Sequence, residues 1–283
     1  MRKAGLVACA VALVMLLAVP ASADLLDPFD NMSAPPGTFF LAGYFSYMDL
    51  PDYESDGQTV TTDFKAWNFI LRPVWFGPKI AGKMSWGLNA AIPVGQYSMD
   101  GEDTQSGLGD IAISPFIFLY ENEKNGLYVS FWEFVYMPTG KYDENNPDTS
   151  LSLDAWQSQS QLAVGWYPSA FGLDWTVNYW YRGESNELNI DYTDAIESDL
   201  ILHYTFGMGL TVGVMGSFWW DTTEMKIDGQ DVPNTKGHRY AAGLNAMYPI
   251  TESFILSARW LNNFDVEANS KGNWFYLRAV YVF

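Results

Sequence analysis

Few imidazole or thiol side chains that titrate near neutral pH are present in this sequence: His203, His238 and Cys9. A histidine-based hydrolase needs a Ser or Asp within hydrogen-bonding reach, set at an accessible rim. His238 stands at the edge of an acidic stretch with Asp221 opposite it, but no nucleophile motif accompanies that pair. His203 alternates with Glu197 and Asp199 and falls at the end of its segment away from the acidic stretches, unsuited to surface catalysis. Cys9 lies in an apolar amino-terminal run, so the remainder has no disulfide, thiolate nucleophile or cysteine metal site. The clusters Asp228-Gly229-Gln230-Asp231 and Asp143 to Asp148 offer oxygen ligands without the spacing of a calcium loop. They read as solvated acids that divalent ions could bridge to lipopolysaccharide. No catalytic set, metal site or cofactor is expected.

What positions these residues is a series of alternating segments of roughly ten residues, the length of a tilted membrane-spanning strand. Short connections (78–81, 121–125, 168–170, 206–207 and 249–251) take turns with longer ones (51–62, 95–107, 139–152, 183–189, 222–236 and 265–272). The pattern predicts an all-β fold: an antiparallel transmembrane β-barrel of about twelve strands over residues 37–283. Short turns face the periplasm and long loops the exterior, with residues 24–36 as a periplasmic segment ahead of the first strand. Closure satisfies every backbone group inside lipid, which an open sheet cannot do.

Period two assigns the faces. Around Trp175 the outward set is Trp175, Val177, Tyr179 and Tyr181, and the inward set is Asp174, Thr176, Asn178 and Arg182. In the next segment Ile196, Leu200, Leu202 and Tyr204 face lipid, while Glu197, Asp199 and His203 face the lumen. Extended along the chain, the rule lines the lumen with Arg72, Arg182, Arg239, Arg259 and Arg278 against Glu133, Asp174, Glu197, Asp199 and Asp221, with Gln159 among the neutral groups. From Leu108 to Tyr120 the inward set is Asp110, Ala112, Ser114, Phe116, Phe118 and Tyr120, so rings join the polar lining. Such rings are either apolar surface for a solute or packing that closes a narrow barrel. Two segments echo each other, Ile92-Pro93-Val94-Gly95-Gln96-Tyr97 and Met137-Pro138-Thr139-Gly140-Lys141-Tyr142. In each, proline is expected to end strand pairing at the outer rim.

Composition agrees. Aromatic residues make up 17% of the chain, as barrels with interfacial girdles require. Arg2 and Lys3, an apolar run from Leu6 to Val19 and Ala21-Ser22-Ala23 read as a signal peptide over 1–23, with Asp24 as the mature start. That site carries no cysteine, which excludes a lipoprotein. Beyond it no apolar run is long enough for a helical span. The formal net charge of -18, or -20 once Arg2 and Lys3 leave, argues against a nucleic-acid partner.

The last segment places Phe275, Leu277, Ala279, Tyr281 and Phe283 on one face and ends on an aromatic residue. It resembles the closing strand of bacterial outer-membrane barrels, which implies that Tyr281 and Phe283 are the signal for the barrel-assembly machinery. Gly107-Leu108-Gly109-Asp110-Ile111, then Pro115, then Pro138-Thr139-Gly140-Lys141-Tyr142, with Tyr181-Arg182 and the closing strand, resembles the MetA-pathway phenol-degradation family of outer-membrane proteins, from about Gly37 to Phe283. The resemblance implies a narrow barrel, working as a monomer in lipid and lipopolysaccharide, that passes small hydrophobic or aromatic compounds by diffusion. It carries no catalytic or ligand residues. The rival readings are a structural or adhesive barrel with a sealed lumen, and a barrel hydrolase.

Overall fold

The computed structural model describes residues 26–283; the expected signal peptide 1–23 and Cys9 lie outside these residues. Twelve long strands form the wall. They are β1 (Phe39–Ser55), β2 (Gln58–Phe76), β3 (Trp86–Ser98), β4 (Ile111–Asn122), β5 (Leu127–Met137) and β6 (Gln157–Trp166). The second half is β7 (Phe171–Arg182), β8 (Ala195–Thr205), β9 (Thr211–Asp221), β10 (His238–Pro249), β11 (Phe254–Glu267) and β12 (Asn269–Val282). Each pairs antiparallel with its neighbours, and β1 pairs with both β2 and β12, which closes the barrel. Both ends of the barrel wall lie at the short-turn end.

Three of the expected loops are long: 138–156, 183–194 and 222–237. Two others are not loops. Residues 51–62 continue β1 and β2 into a hairpin closed by Asp56 (φ 53°) and Gly57 (φ 67°), two left-handed residues whose twist matches paired strands. Pro51 is absorbed by a bulge between Leu50 and Asp52. Residues 265–272 likewise extend β11 and β12, which are separated by Ala268 alone.

Pro93 does not end β3 at the rim; it lies mid-strand, and β3 continues to Ser98. Its consequence falls on the neighbour. Proline has no N–H to donate, and the β3–β4 ladder breaks opposite it, between Leu108 and Ile111. Residues Gln105–Leu108 pair above the break and β4 below it.

The outer face carries exposed aromatic rings in two belts. Trp75, Trp166, Phe171, Phe206, Tyr248 and Tyr281 lie toward the short turns, and Trp67, Tyr179, Tyr181, Trp220 and Phe264 toward the loops. Leucine, isoleucine and valine dominate the band between, among them Ile113, Leu162, Leu202, Val214, Leu244 and Leu277, with rings such as Phe45, Trp175 and Trp260 set among them. This is the surface a bilayer selects. The packed core lies inside the barrel.

Candidate functional site

The lumen is the site, and its walls differ. One wall is aromatic. On β5, Tyr128, Ser130, Trp132, Phe134 and Tyr136 point inward at every second position. Trp132 stacks on Phe116 of β4 with centroids 3.9 Å apart, and on Phe134 at 6.2 Å. Phe134 stacks on Tyr136 at 6.4 Å, Tyr136 on Trp180 at 5.4 Å, and Trp180 meets Trp219 at 5.9 Å. Toward the short turns Phe118 packs against Tyr128 and Phe76. The rings thus form a ladder along the height of the barrel. Phe116 and Phe118 are inward, as expected, but are 3% and 1% exposed and support the ladder's short-turn end rather than face an open bore.

The other wall is charged. Arg259 of β11 and Arg278 of β12 face inward, and so do Asp174 of β7 and His203 of β8. These four hold the segment expected to lie in the periplasm. Residues 26–31 enter the barrel instead. Asp30 Oδ1 meets Arg278 Nη1 at 2.6 Å and Asp27 Oδ2 meets Arg278 Nε at 3.0 Å. Arg259 donates to the carbonyl of Leu26. The amides of Phe29 and Asn31 donate to the Asp174 carboxylate at 3.0 and 3.3 Å. That carboxylate also accepts the Tyr167 hydroxyl and faces His203 Nε2 at 3.3 Å. The Phe29 ring packs on His203 and Tyr167, with centroids 4.6 and 5.0 Å away. A sequence pattern of strands could not reveal this plug, because its residues have no periodicity; the signal was Asp27 and Asp30 ahead of a chain with inward arginines.

Above the plug is a cavity of about 50 Å³, lined by Asp30 and Arg72 below, Trp132, Phe134 and Tyr136 on the aromatic side, and Thr176, Asn178, Glu197 and Asp199 opposite. An apolar cavity that admits benzene measures about 150 Å³, so this cavity is too small for a ring. Arg72 lies over the Trp132 ring at 5.8 Å and donates to Asn89 and Tyr44. Gln159 accepts the Tyr136 hydroxyl at 2.8 Å. Glu197 accepts from Trp180 Nε1 at 2.9 Å, and Thr176 donates to Asp199 at 3.4 Å. Arg239 lies 3.7 Å from Glu197 and over the Trp274 ring at 4.6 Å. Nearer the loops, Arg182 pairs with Asp221 at 3.2 Å.

Two assigned lumen residues move. Glu133 is a correction: it points outward, beside Phe131 and Val135, and accepts the Ser160 hydroxyl at 2.6 Å. Charge does not mark the inward face of β5, whose inward set is aromatic. Ser160 pairs in turn with Tyr179, so Glu133 sits level with the loop-side aromatic belt, where a carboxylate reaches polar surroundings. Tyr120 is outward too, 49% exposed, because a bulge between Phe118 and Tyr120 inverts the alternation. Asp110 remains at the inner rim and organises the loop base. It accepts the Gly140 amide at 3.0 Å and lies 3.5 Å from Gln157 Nε2.

His238 does not face Asp221. Its Nε2 lies 3.5 Å from Asp265 Oδ1 at the outer rim, its ring packs on Tyr240, and no hydroxyl among the described residues is bonded to it. At the chain end Phe283 packs against Phe39 and Tyr281, with its amide bonded to the Phe39 carbonyl at 2.9 Å.

Comparison of folds places the chain among bacterial outer-membrane barrels. The COG4313 outer membrane channel from Pseudomonas putida F1 superposes with a TM-score of 0.82 at 19% identity, covering 91% of this chain and 100% of that one. The transport unit of the autotransporter AIDA-I from Escherichia coli is more distant, with a TM-score of 0.51 at 12% identity, covering 96% of each chain. No curated protein sequence matches the chain. The sequence pattern of one family spans residues 49–279, including the G-x-G-D and P-T-G-x-Y segments that meet at the loop base. The chain therefore belongs to the family described as MetA-pathway of phenol degradation.

Proposed function

We propose that the protein is an outer-membrane channel for passive uptake of small aromatic or other hydrophobic compounds. The observation that carries this is the inward aromatic ladder from Tyr128 through Trp132, Phe134 and Tyr136 to Trp180 and Trp219. A pore for small ions gains nothing from such a wall, whereas an apolar solute losing its hydration gains contact area on every rung. The family's link to phenol degradation and the channel character of its structural neighbour from Pseudomonas putida support the same reading.

The closed lumen is the argument for a sealed structural barrel, but the charge pattern favours a channel. Two arginine ion pairs of the wall each reach past a single intervening strand, Arg182 on β7 to Asp221 on β9 and Arg239 on β10 to Glu197 on β8. They stiffen one side and do not cross the bore. The groups that cross it belong to residues 26–31, which contribute no strand and can withdraw without breaking the wall's ladders. A hydrolase would need a nucleophile at the His238–Asp265 pair, and none is bonded there among the described residues. In this reading the partners are outer-membrane lipid, lipopolysaccharide, the barrel-assembly machinery and the solute, and the barrel works as a monomer.

The test is uptake of radiolabelled phenol or toluene by whole cells carrying Phe134→Ser with Tyr136→Ser. Slower aromatic uptake at equal barrel yield is expected. Uptake equal to that of cells lacking the protein, already in the unmodified chain, overturns the proposal.

A further inference from the structure

We propose that residues 147–155 form a lid over the loop-end mouth of the barrel, held shut while the Asp148 carboxyl is protonated and released when it ionises. The seat of this lid is apolar. Leu151 is 6% exposed and belongs to the cluster of inward residues that includes Leu50, Tyr53, Tyr97 and Met99. Leu153 and Ala155 pack with Ile190, Tyr192 and Met225 of the two neighbouring loops. Polar tethers hold the edge: Thr149 Oγ1 donates to the Asp103 carbonyl at 2.8 Å, and the Leu151 amide to the Lys141 carbonyl at 3.0 Å.

Asp148 is the misfit in this seat. It is 5% exposed, and its Oδ1 has no hydrogen-bond partner among the described residues. The channel reading gives it no task. The groups that face it are Glu102 from the β3–β4 connection, Tyr53 from β1 and Tyr192 from the 183–194 loop. Further out stand Asp221 and Glu267 around Tyr53, and Asp154, Tyr142 and Arg182 around Tyr192. Of these only Arg182 is cationic, and it is paired with Asp221. A carboxylate here loses hydration and gains no counter-charge, which is costly.

Burial, with Glu102 adding to it, pushes the Asp148 carboxyl up to about 7. In an open, hydrated loop it returns to the ordinary carboxylate value of about 3.9. The closed form therefore holds the proton more tightly. Closure is fully favoured below about pH 4, weakens as pH rises, and has lost all of this contribution above about pH 7. Neutral pH falls at the top of that window.

The test reads the lid and not transport, so it stands apart from the channel proposal. In a Cys9→Ser chain refolded in lipid, Ser152→Cys reports the lid from beneath, and Glu144→Cys, on an exposed part of the same loop, reports the thiol chemistry alone. The ratio of their rates with a water-soluble maleimide should rise at least about tenfold from about pH 5.5 to about 8.5. Asp148→Asn keeps the shape without the charge and should hold the ratio flat and low. Glu102→Gln should shrink the rise. A flat ratio in the native loop, a rise that persists in Asp148→Asn, or opening on acidification overturns the inference.

Discussion

Asp110 Oδ1 accepts the backbone N–H of Gly140 at 3.0 Å, and this bond joins two sequence motifs that lie 30 residues apart. Around it Lys141 donates its amide to the Leu108 carbonyl at 2.8 Å, and Ile111 donates to Thr139 Oγ1 at 3.0 Å. The approach is close enough that a Cβ on Gly140 would meet the Gly109 backbone at 2.8 Å. G-x-G-D and P-T-G-x-Y are thus two halves of one clasp at the base of the 138–156 loop. Asp110→Ala leaves the Gly140 amide without its acceptor and should cost roughly 1–3 kcal/mol, while Asp110→Asn, which keeps an acceptor, should cost less. Gly140→Ala should also open the clasp. Limited proteolysis within 143–150 checks this: faster cleavage is expected in Asp110→Ala and Gly140→Ala than in Asp110→Asn.

The clasp shows what the sequence could and could not reveal. Both motifs were visible, but their contact was not, because it forms beside a break in the strand ladder, opposite Pro93, that strand periodicity does not encode. The faces of β7 and β8 follow strict alternation, and every assigned residue from Asp174 to His203 lies on its expected side. On β5 the rule fails for Glu133, since there the inside is aromatic and the carboxylate sits outside at the level of the aromatic belt. A single bulge turned Tyr120 outward. The plug stayed hidden because ion pairs such as Arg278–Asp30 leave no periodic trace in a sequence.

Lipid-facing and lumen-facing positions should respond differently to charge. Leu202 is 48% exposed on the outer apolar band just above the short-turn belt, so Leu202→Arg should cost up to about 2–4 kcal/mol. Gln159 faces inward among polar groups at the cavity, and Gln159→Glu should cost less. Urea titrations of the refolded barrel in lipid vesicles measure both. Equal costs would mean that Leu202 does not face hydrocarbon.

Deleting Phe283 should impair assembly far more than it weakens a finished barrel. Its ring is 70% exposed and touches only Phe39 and Tyr281 among aromatic neighbours, so little packing is lost. Apart from the single bond of its amide to the Phe39 carbonyl, the β1–β12 ladder that closes the wall runs from Phe40–Val282 upward without it. Heat-modifiable gel mobility of protein refolded in vitro should be near normal, while the outer-membrane yield in cells falls severely. Normal yield in cells would refute an assembly role for this residue.

The plug offers the sharpest separation of a channel from a sealed barrel. Arg278 holds Asp27 and Asp30 together, at 3.0 and 2.6 Å, inside the barrel. Arg278→Ala removes the counter-charge from the buried Asp27 and the half-buried Asp30, and stripping a buried charge of its partner typically costs about 3–5 kcal/mol when the charge must stay where it is. Residues 26–31 are not bound to stay. Only side-chain and amide contacts fix them, chiefly through Asp174, Arg259 and Arg278, so the cheaper response is for the segment to leave the lumen. Ion conductance in planar bilayers should then rise in Arg278→Ala toward the level of a chain lacking residues 24–32, with the melting of the barrel itself little changed. Asp174→Asn should act in the same direction more weakly, because it weakens two amide contacts and leaves both arginine pairs. If the deletion itself stays non-conducting, the bore is closed by its wall, and the aromatic ladder is packing rather than a path.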